Sequence, residues 1–170
     1  MVKLKKIKTH NPKRKKLKSD IVIPEQVWDL FRKGYAMIEQ TFAIIKPHAV
    51  KGKLAGKVID MIESSGFDIV EMKKITMSKA QAETLYTEHQ GKPFYAGLVS
   101  IMTASSVIVL KLQKAGAVAS WRDLMGATNP ANATHGTIRA LFGKSLDENV
   151  VHGSDSVKSA ERELAIFFGN

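Results

Sequence analysis

His152 is preceded by Asn149, Val150 and Val151 and followed at once by Gly153, Ser154, Asp155 and Ser156. Two β-branched valines favour an extended, buried run, and Gly-Ser-Asp-Ser is a turn that ends in a good helix N-cap. His152 is therefore expected at the end of a strand-like segment. A neutral imidazole held there is a nucleophile near pH 7, provided that something fixes its tautomer. Glu161 and Glu163 lie on the helix expected to follow and could reach back to the second ring nitrogen. A histidine satisfied by its own turn would give the same octapeptide, and no second catalytic group adjoins it in sequence. Elsewhere Lys46 closes an apolar run before Pro47, and Arg122 and Arg139 stand in later segments. An arginine outside any pattern is usually a surface charge, so these residues gain weight only from their context.

The elements that must position these groups follow from periodicity. Residues 41–46 form a short apolar run closed by Pro47, a buried strand that presents Lys46 at its end. Leu54, Val58, Ile59, Met61 and Ile62 recur at helical spacing up to Gly66, which makes residues 54–65 an amphipathic helix. Residues 67–77 alternate loosely as a second strand. Ser78 with Gln81 forms a capping box for a helix whose inner face carries Ala82, Leu85 and Tyr86. After Gly91 and Pro93 a helix is expected over 94–102, a strand over 107–112 and a helix over 115–125. A strand-like run around Val150 and a helix over 156–168 complete the chain. Strands alternating with helices, then a strand pair, point to a split βαβ sheet with helices on one face.

Composition sets the outer limits. The 170 residues, 44% hydrophobic, suffice for one domain with its own core. Cysteine is absent, which removes disulfides, thiolate catalysis and zinc-thiolate sites. No apolar run approaches a membrane span, so no membrane association is expected and the chain reads as a cytoplasmic protein. The net charge of +10 is concentrated at one end: residues 1–40 hold 11 Lys or Arg against 4 acids, a net of +7. Nine of those cations fall between Lys3 and Lys18, with no periodic apolar pattern, so residues 1–38 read as a basic, disordered extension before a domain at 39–170. Residues 3–18 are a candidate for weak nucleic-acid binding, and a solvated leader without a role fits equally well. Val27, Trp28, Leu30 and Phe31 could pack on the body. Met37 lies four residues before the first strand, so a chain started there would keep the compact part whole.

Several blocks together resemble the nucleoside diphosphate kinase family: Phe42 to Pro47, Gly91-Lys92-Pro93-Phe94, Leu124 to Ala131, Gly136-Thr137-Ile138-Arg139, and Asn149 to Ser156. The resemblance covers about residues 39–168, and five blocks in the right order make it specific. It implies an α+β fold, a ferredoxin-like αβ sandwich with a four-stranded antiparallel sheet. It further implies transfer of the γ-phosphate of ATP or another nucleoside triphosphate to a nucleoside diphosphate, in ping-pong fashion through a phosphohistidine at His152, with Mg2+. By the resemblance, Lys46 contacts the transferred group and the ribose hydroxyl, while Arg122, Thr128 and Arg139 hold the remaining phosphates. Tyr86 faces the phosphates, Asn149 the sugar, and Phe94 and Leu146 sandwich the base. Glu163 and Ser154 match the positions that orient the histidine. No protein cage for Mg2+ is visible, which suits an ion carried by nucleotide phosphates. A homo-oligomer, tetramer or hexamer, is implied as well. His10, His48, His89 and His135 have no matching context and read as structural or surface residues.

The chain departs from the family pattern where His48 replaces an Asp, Gly52-Lys53 an Arg-Gly pair, and Ala140-Leu141 a Gly-Asp pair. The missing arginine would leave Asp155 without its usual partner, and one of the flanking Lys51 and Lys53, Lys53 ahead of Lys51, is expected to take over that ion pair. A kinase-like nucleic-acid-binding protein with little turnover is the alternative reading. A regulator phosphorylated on histidine but unable to turn over nucleotide would be expected to lose Lys46 or Arg139, and both are present.

Overall fold

The computed structural model describes Pro24 and residues 38–169. The expectations for the basic extension, its apolar residues Val27 to Phe31 and the start at Met37 fall outside the described residues. Strand β1 (Ile38–Ile45) is the centre of the sheet. It is followed by a short helix α1 (Pro47–Lys51), helix α2 (Ala55–Ser64) and strand β2 (Asp68–Thr76). Helices α3 (Lys79–Leu85) and α4 (Tyr95–Thr103) lead to strand β3 (Ser106–Ala115) and helix α5 (Ala117–Met125). Helix α6 (Ile138–Phe142), strand β4 (Val151–Gly153) and helix α7 (Val157–Phe168) close the fold. The sheet order is β2-β3-β1-β4 and every neighbouring pair is antiparallel, the order of a ferredoxin-like α+β sandwich.

The sequence reading put the helices on one face, and here the structure corrects it: they cover both. Along β1, Ala43 and Ile45 enter a core with Val58, Ile62, Trp121 and Ile138, under α2, α5 and α6. Phe42 and Ile44 enter a second core with Leu85, Met102, Leu164 and Phe167, under α3, α4 and α7. A strand covered on both sides must be apolar on both, so residues 42–45 are continuous rather than alternating. β3 follows the same rule, with Ile108 and Leu110 in the first core and Val107 and Val109 in the second.

Local signals set the helix starts. Ser78 Oγ accepts the Gln81 N–H at 3.1 Å while Gln81 Oε1 accepts the Ser78 N–H at 3.0 Å, the reciprocal pair of a capping box. Ser156 caps α7 by accepting the Ser159 N–H at 3.2 Å. The expected strand around Val150 is only three residues long, and it places His152 opposite Ile44 in the middle of the sheet edge.

Candidate active site

The backbone under His152 is fixed from below. Trp121 of α5, fully buried, donates its indole N–H to the His152 carbonyl at 3.3 Å. The indole passes so close to Gly153 that a Cβ there would lie 2.2 Å from Trp121 Nε1, so only glycine lets β4 lie down on it. The His152 ring is then flanked edge-on by Tyr86 at 5.6 Å and Phe42 at 6.2 Å between centroids. Its Nε2 lies 3.1 Å from Glu163 Oε2, and that oxygen also accepts the Ser154 hydroxyl at 2.9 Å. Glu163 and Ser154 are buried, whereas the His152 side chain keeps 21% exposure. A carboxylate accepts from Nε2–H, which leaves Nδ1 with a free lone pair. Of the two glutamates the sequence offered, only Glu163 reaches the ring; Glu161 is exposed.

Beyond Glu163, the structure gathers cations near this imidazole that have no carboxylate paired to them among the described residues. Lys46, buried at the end of β1, donates to Asn149 Oδ1 at 2.5 Å. Arg139 of α6 is buried and held by main-chain carbonyls: Nη1 to Gly126 O at 2.8 Å, Nη2 to Val151 O at 3.0 Å, Nε to Asn149 O at 3.3 Å. Among the described residues no carboxylate forms an ion pair with Lys46, Arg122 or Arg139. The cost is visible in proton affinity. Burial, with Arg139 adding repulsion and Asp147 opposing it, lowers the Lys46 ammonium to about 8. Burial and the neighbouring charge of Arg122 lower Arg139 to about 10. Buried positive charges that repel one another and lack an anion are a site built for one. Tyr86 adds a buried phenol with no hydrogen-bond partner among the described residues, and burial followed by the charge of Glu163 pushes its ionisation up.

The outer rim is open by contrast. Phe94 and Leu146 are 53% and 58% exposed, and Arg122 and Thr128 are exposed too. Thr128 contributes its carbonyl, which accepts from Asn149 Nδ2 at 3.1 Å. His89 lies between Tyr86 and Phe94, 6.1 Å and 5.5 Å from their ring centroids. Among the described residues no three carboxylate or imidazole groups converge as metal ligands.

Three positioning groups escaped the sequence reading. Trp121 reads as an ordinary core residue of α5. Arg162 ties α7 to the end of α3, donating to Thr84 O at 3.1 Å and Leu85 O at 3.3 Å and reaching Glu88 and Glu163 with Nη2. Its only sequence signal is its place beside Glu163. His48 accepts the Val150 N–H on Nε2 at 3.1 Å, although a lone histidine after Lys-Pro carries no motif. The expected Lys53–Asp155 ion pair is absent among the described residues. Asp155 instead accepts the hydroxyls of Ser159 at 2.5 Å and Ser156 at 3.0 Å, which hold its carboxyl below the usual range. Two hydroxyls one and four residues away serve the carboxylate with no long side chain to order.

The family model for nucleoside diphosphate kinase matches residues 39–170. A nucleoside diphosphate kinase from Geotalea uraniireducens is 55% identical over 131 residues, 77% of this chain and 96% of the relative. The apo crystal structure of the nucleoside diphosphate kinase from Encephalitozoon cuniculi superposes with a TM-score of 0.76 at 35% identity, covering 78% of this chain and 90% of that one. The Aquifex aeolicus enzyme gives the same TM-score at 31% identity, covering 78% and 96%.

Proposed function

The chain belongs to the nucleoside diphosphate kinase family and has that phosphotransferase activity, and from that premise we propose that His152 Nδ1 is the atom that carries the phosphoryl group. The observation that supports this is the pairing of Nε2 with Glu163, which leaves the other nitrogen as the nucleophile. In the first half-reaction the Nδ1 lone pair bonds to the γ-phosphorus as the bond to the β,γ-bridging oxygen breaks, and the diphosphate leaves with that electron pair. In the second half-reaction a terminal oxygen of the acceptor diphosphate attacks the same phosphorus and Nδ1 leaves with its pair restored. Glu163 stabilises the cationic ring while the phosphoryl group is on it, and Ser154 holds Glu163 in place.

Lys46, Arg122, Arg139 and the Tyr86 hydroxyl supply the donors that the phosphate oxygens require, and Asn149 and Thr128 complete the contacts to sugar and phosphate. Mg2+, which the same reading expects on the nucleotide's own phosphate oxygens, would neutralise phosphate charge beside Lys46 and Arg139. Phe94 and Leu146 take the base between exposed apolar faces, which reads no hydrogen-bonding edge. The domain begins near residue 39 and residues 1–38 form an extension to it. A homo-oligomer, tetramer or hexamer, is part of the same reading, supported by Val70 and Met72, which stay exposed on the edge strand β2. Among the described residues no helix is long and apolar enough to cross a membrane, and a cytoplasmic location belongs to the proposal. The alternative of a nucleic-acid-binding protein acting through residues 3–18 with little turnover is not favoured.

The test is direct. Radiolabelled ATP alone should leave an acid-labile, alkali-stable phosphate on the protein, and GDP should discharge it as GTP. His152→Ala should show neither, and a labelled His152→Ala protein would sink the assignment.

A further inference from the structure

We propose that His48, which lies outside the catalytic machinery described above, is a positioning residue for the phosphoryl-transfer wall, holding in its neutral form the turn at Val150 that sets Asn149, Lys46 and His152 relative to one another. The inference rests on His152 as the phosphoryl acceptor.

Val150 is fully buried and has φ +70, the left-handed region that a β-branched residue almost never occupies. The Val151 N–H bonds back to Asn149 O at 2.8 Å, closing a tight three-residue turn around it. Such a conformation persists only where its surroundings over-determine it. Three contacts do so here. The Lys46 N–H donates to Val150 O at 2.9 Å, Arg139 Nε donates to Asn149 O at 3.3 Å, and the Val150 N–H donates to His48 Nε2 at 3.1 Å. The turn in turn sets both sides of the reaction centre: Asn149 Oδ1 receives Lys46 Nζ, and the chain enters β4 with His152 two residues on.

The direction of the Val150 bond fixes the state of His48. Nε2 must present a lone pair, so the ring proton is on Nδ1, which is buried with no partner among the described residues. A cationic ring would set an Nε2–H against the Val150 N–H and keep a second donor unsatisfied. The charged groups facing the ring act the same way on balance: Lys46 and Lys144 disfavour the cation, Glu148 favours it, and Lys51 and Lys74 line the groove beside it. Burial is the largest influence and, with Lys46, lowers the proton affinity of His48 below that of an ordinary histidine. The neutral form thus holds the turn at neutral pH, and the contact is lost as pH falls through the lowered value.

The full chain, His48→Gln and His48→Ala are compared. Glutamine reaches about as far as Nε2 with an amide oxygen that does not titrate. Single-turnover formation of phosphoenzyme from ATP is followed across pH, together with hydrogen exchange and the nitrogen shift of the Val150 amide in nucleotide-free protein. His48→Ala should slow transfer on the order of tenfold, the modest end of what misplacing a reacting group costs, with a smaller change in KM, and should speed Val150 exchange. His48→Gln should recover most of the rate. It should also lower the slope of the acid limb by one proton, because the amide does not titrate. A wild-type rate in His48→Ala, a His48→Gln protein no faster than His48→Ala, or an unchanged acid slope would overturn the proposal. If His48→Ala does not fold, the slope in His48→Gln and its Val150 amide decide alone. Wild-type protein that takes no label from ATP would instead defeat the reading of His152, while a Val150 shift that follows pH without nucleotide would still report on His48.

Discussion

The wall around His152 and the rim around Phe94 are built on opposite plans. In the wall, Glu163, Ser154, Asn149, Lys46 and Arg139 are all buried and interlocked by hydrogen bonds. In the rim, Phe94 and Leu146 are more than half exposed. On the proposed reading, the difference follows from what each would recognise. Phosphate geometry is the same in every substrate and rewards donors fixed at the reacting atoms, whereas a set of different bases rewards a surface that reads none of their edges. On that reading, rigidity is concentrated where the phosphorus would sit and withheld from the base.

The contrast breaks first at Lys46. Lys46→Met should lower kcat/KM by about 10²- to 10³-fold, the loss typical of one preorganised donor, with a similar fall for every base. A loss confined to one nucleotide would show that the wall also reads the base. The wild-type alkaline limb sharpens the point. The ammonium, lowered to about 8, is the charged form that binds phosphate, so kcat/KM should fall as pH rises through that value. An activity flat to pH 10 would mean that Lys46 stays charged or is not needed.

Glu163→Gln comes next. The amide can still accept from Nε2–H but cannot balance a cationic ring, so phosphoenzyme formation should slow by about 10- to 10²-fold, with KM for ATP little changed. Rapid-quench labelling would measure it, and a rise in KM alone would move Glu163 out of the wall. At the rim, Phe94→Ala should reduce kcat/KM about tenfold, the loss of one stacking contact, and almost entirely through KM. GDP, CDP and UDP should stay within one or two factors of ten of one another in the unaltered enzyme, and a spread of many thousandfold would show a hydrogen-bonding readout at the rim.

What the sequence made legible follows the same division. His152, Glu163 and Ser154 belong to one stretch whose strand, turn and capped helix can each be read locally, so their convergence needed no long-range information. The two-sided burial of the sheet was less accessible, since the amphipathic stripe on α2 or α7 says that a helix covers something but not which face of β1. The left-handed Val150 could not be anticipated, because a buried valine between apolar neighbours predicts an extended backbone. The contact that makes His48 structural was illegible for a related reason: its partner lies 102 residues away and is a main-chain N–H, which leaves no side-chain pattern. The Lys53–Asp155 pair failed because charge complementarity was weighed without the nearer hydroxyls of Ser156 and Ser159.

Lys53 itself gives the smallest effect and the sharpest test of where strain is functional. It follows α1 at φ +57, its N–H donates to Val50 O at 3.1 Å, and the next N–H, of Leu54, donates to Ala49 O at 2.9 Å. These two bonds are the Schellman closure of a helix, and the residue at its left-handed position is normally glycine. A lysine there costs about 1 kcal/mol, partly offset because glycine loses more freedom on folding. Lys53→Gly should therefore raise stability by about 0.5 to 1 kcal/mol, a shift of roughly 1–4 °C in Tm for a chain of this size, and leave turnover unchanged. Lys53→Ala keeps the Cβ and should change little, and its effect should add to that of Asp155→Ala because the two side chains do not meet. A Lys53→Gly protein of equal or lower Tm would show that the turn carries no strain. One that gained stability but lost phosphoryl transfer would extend the rigid wall from Val150 down to the end of α1.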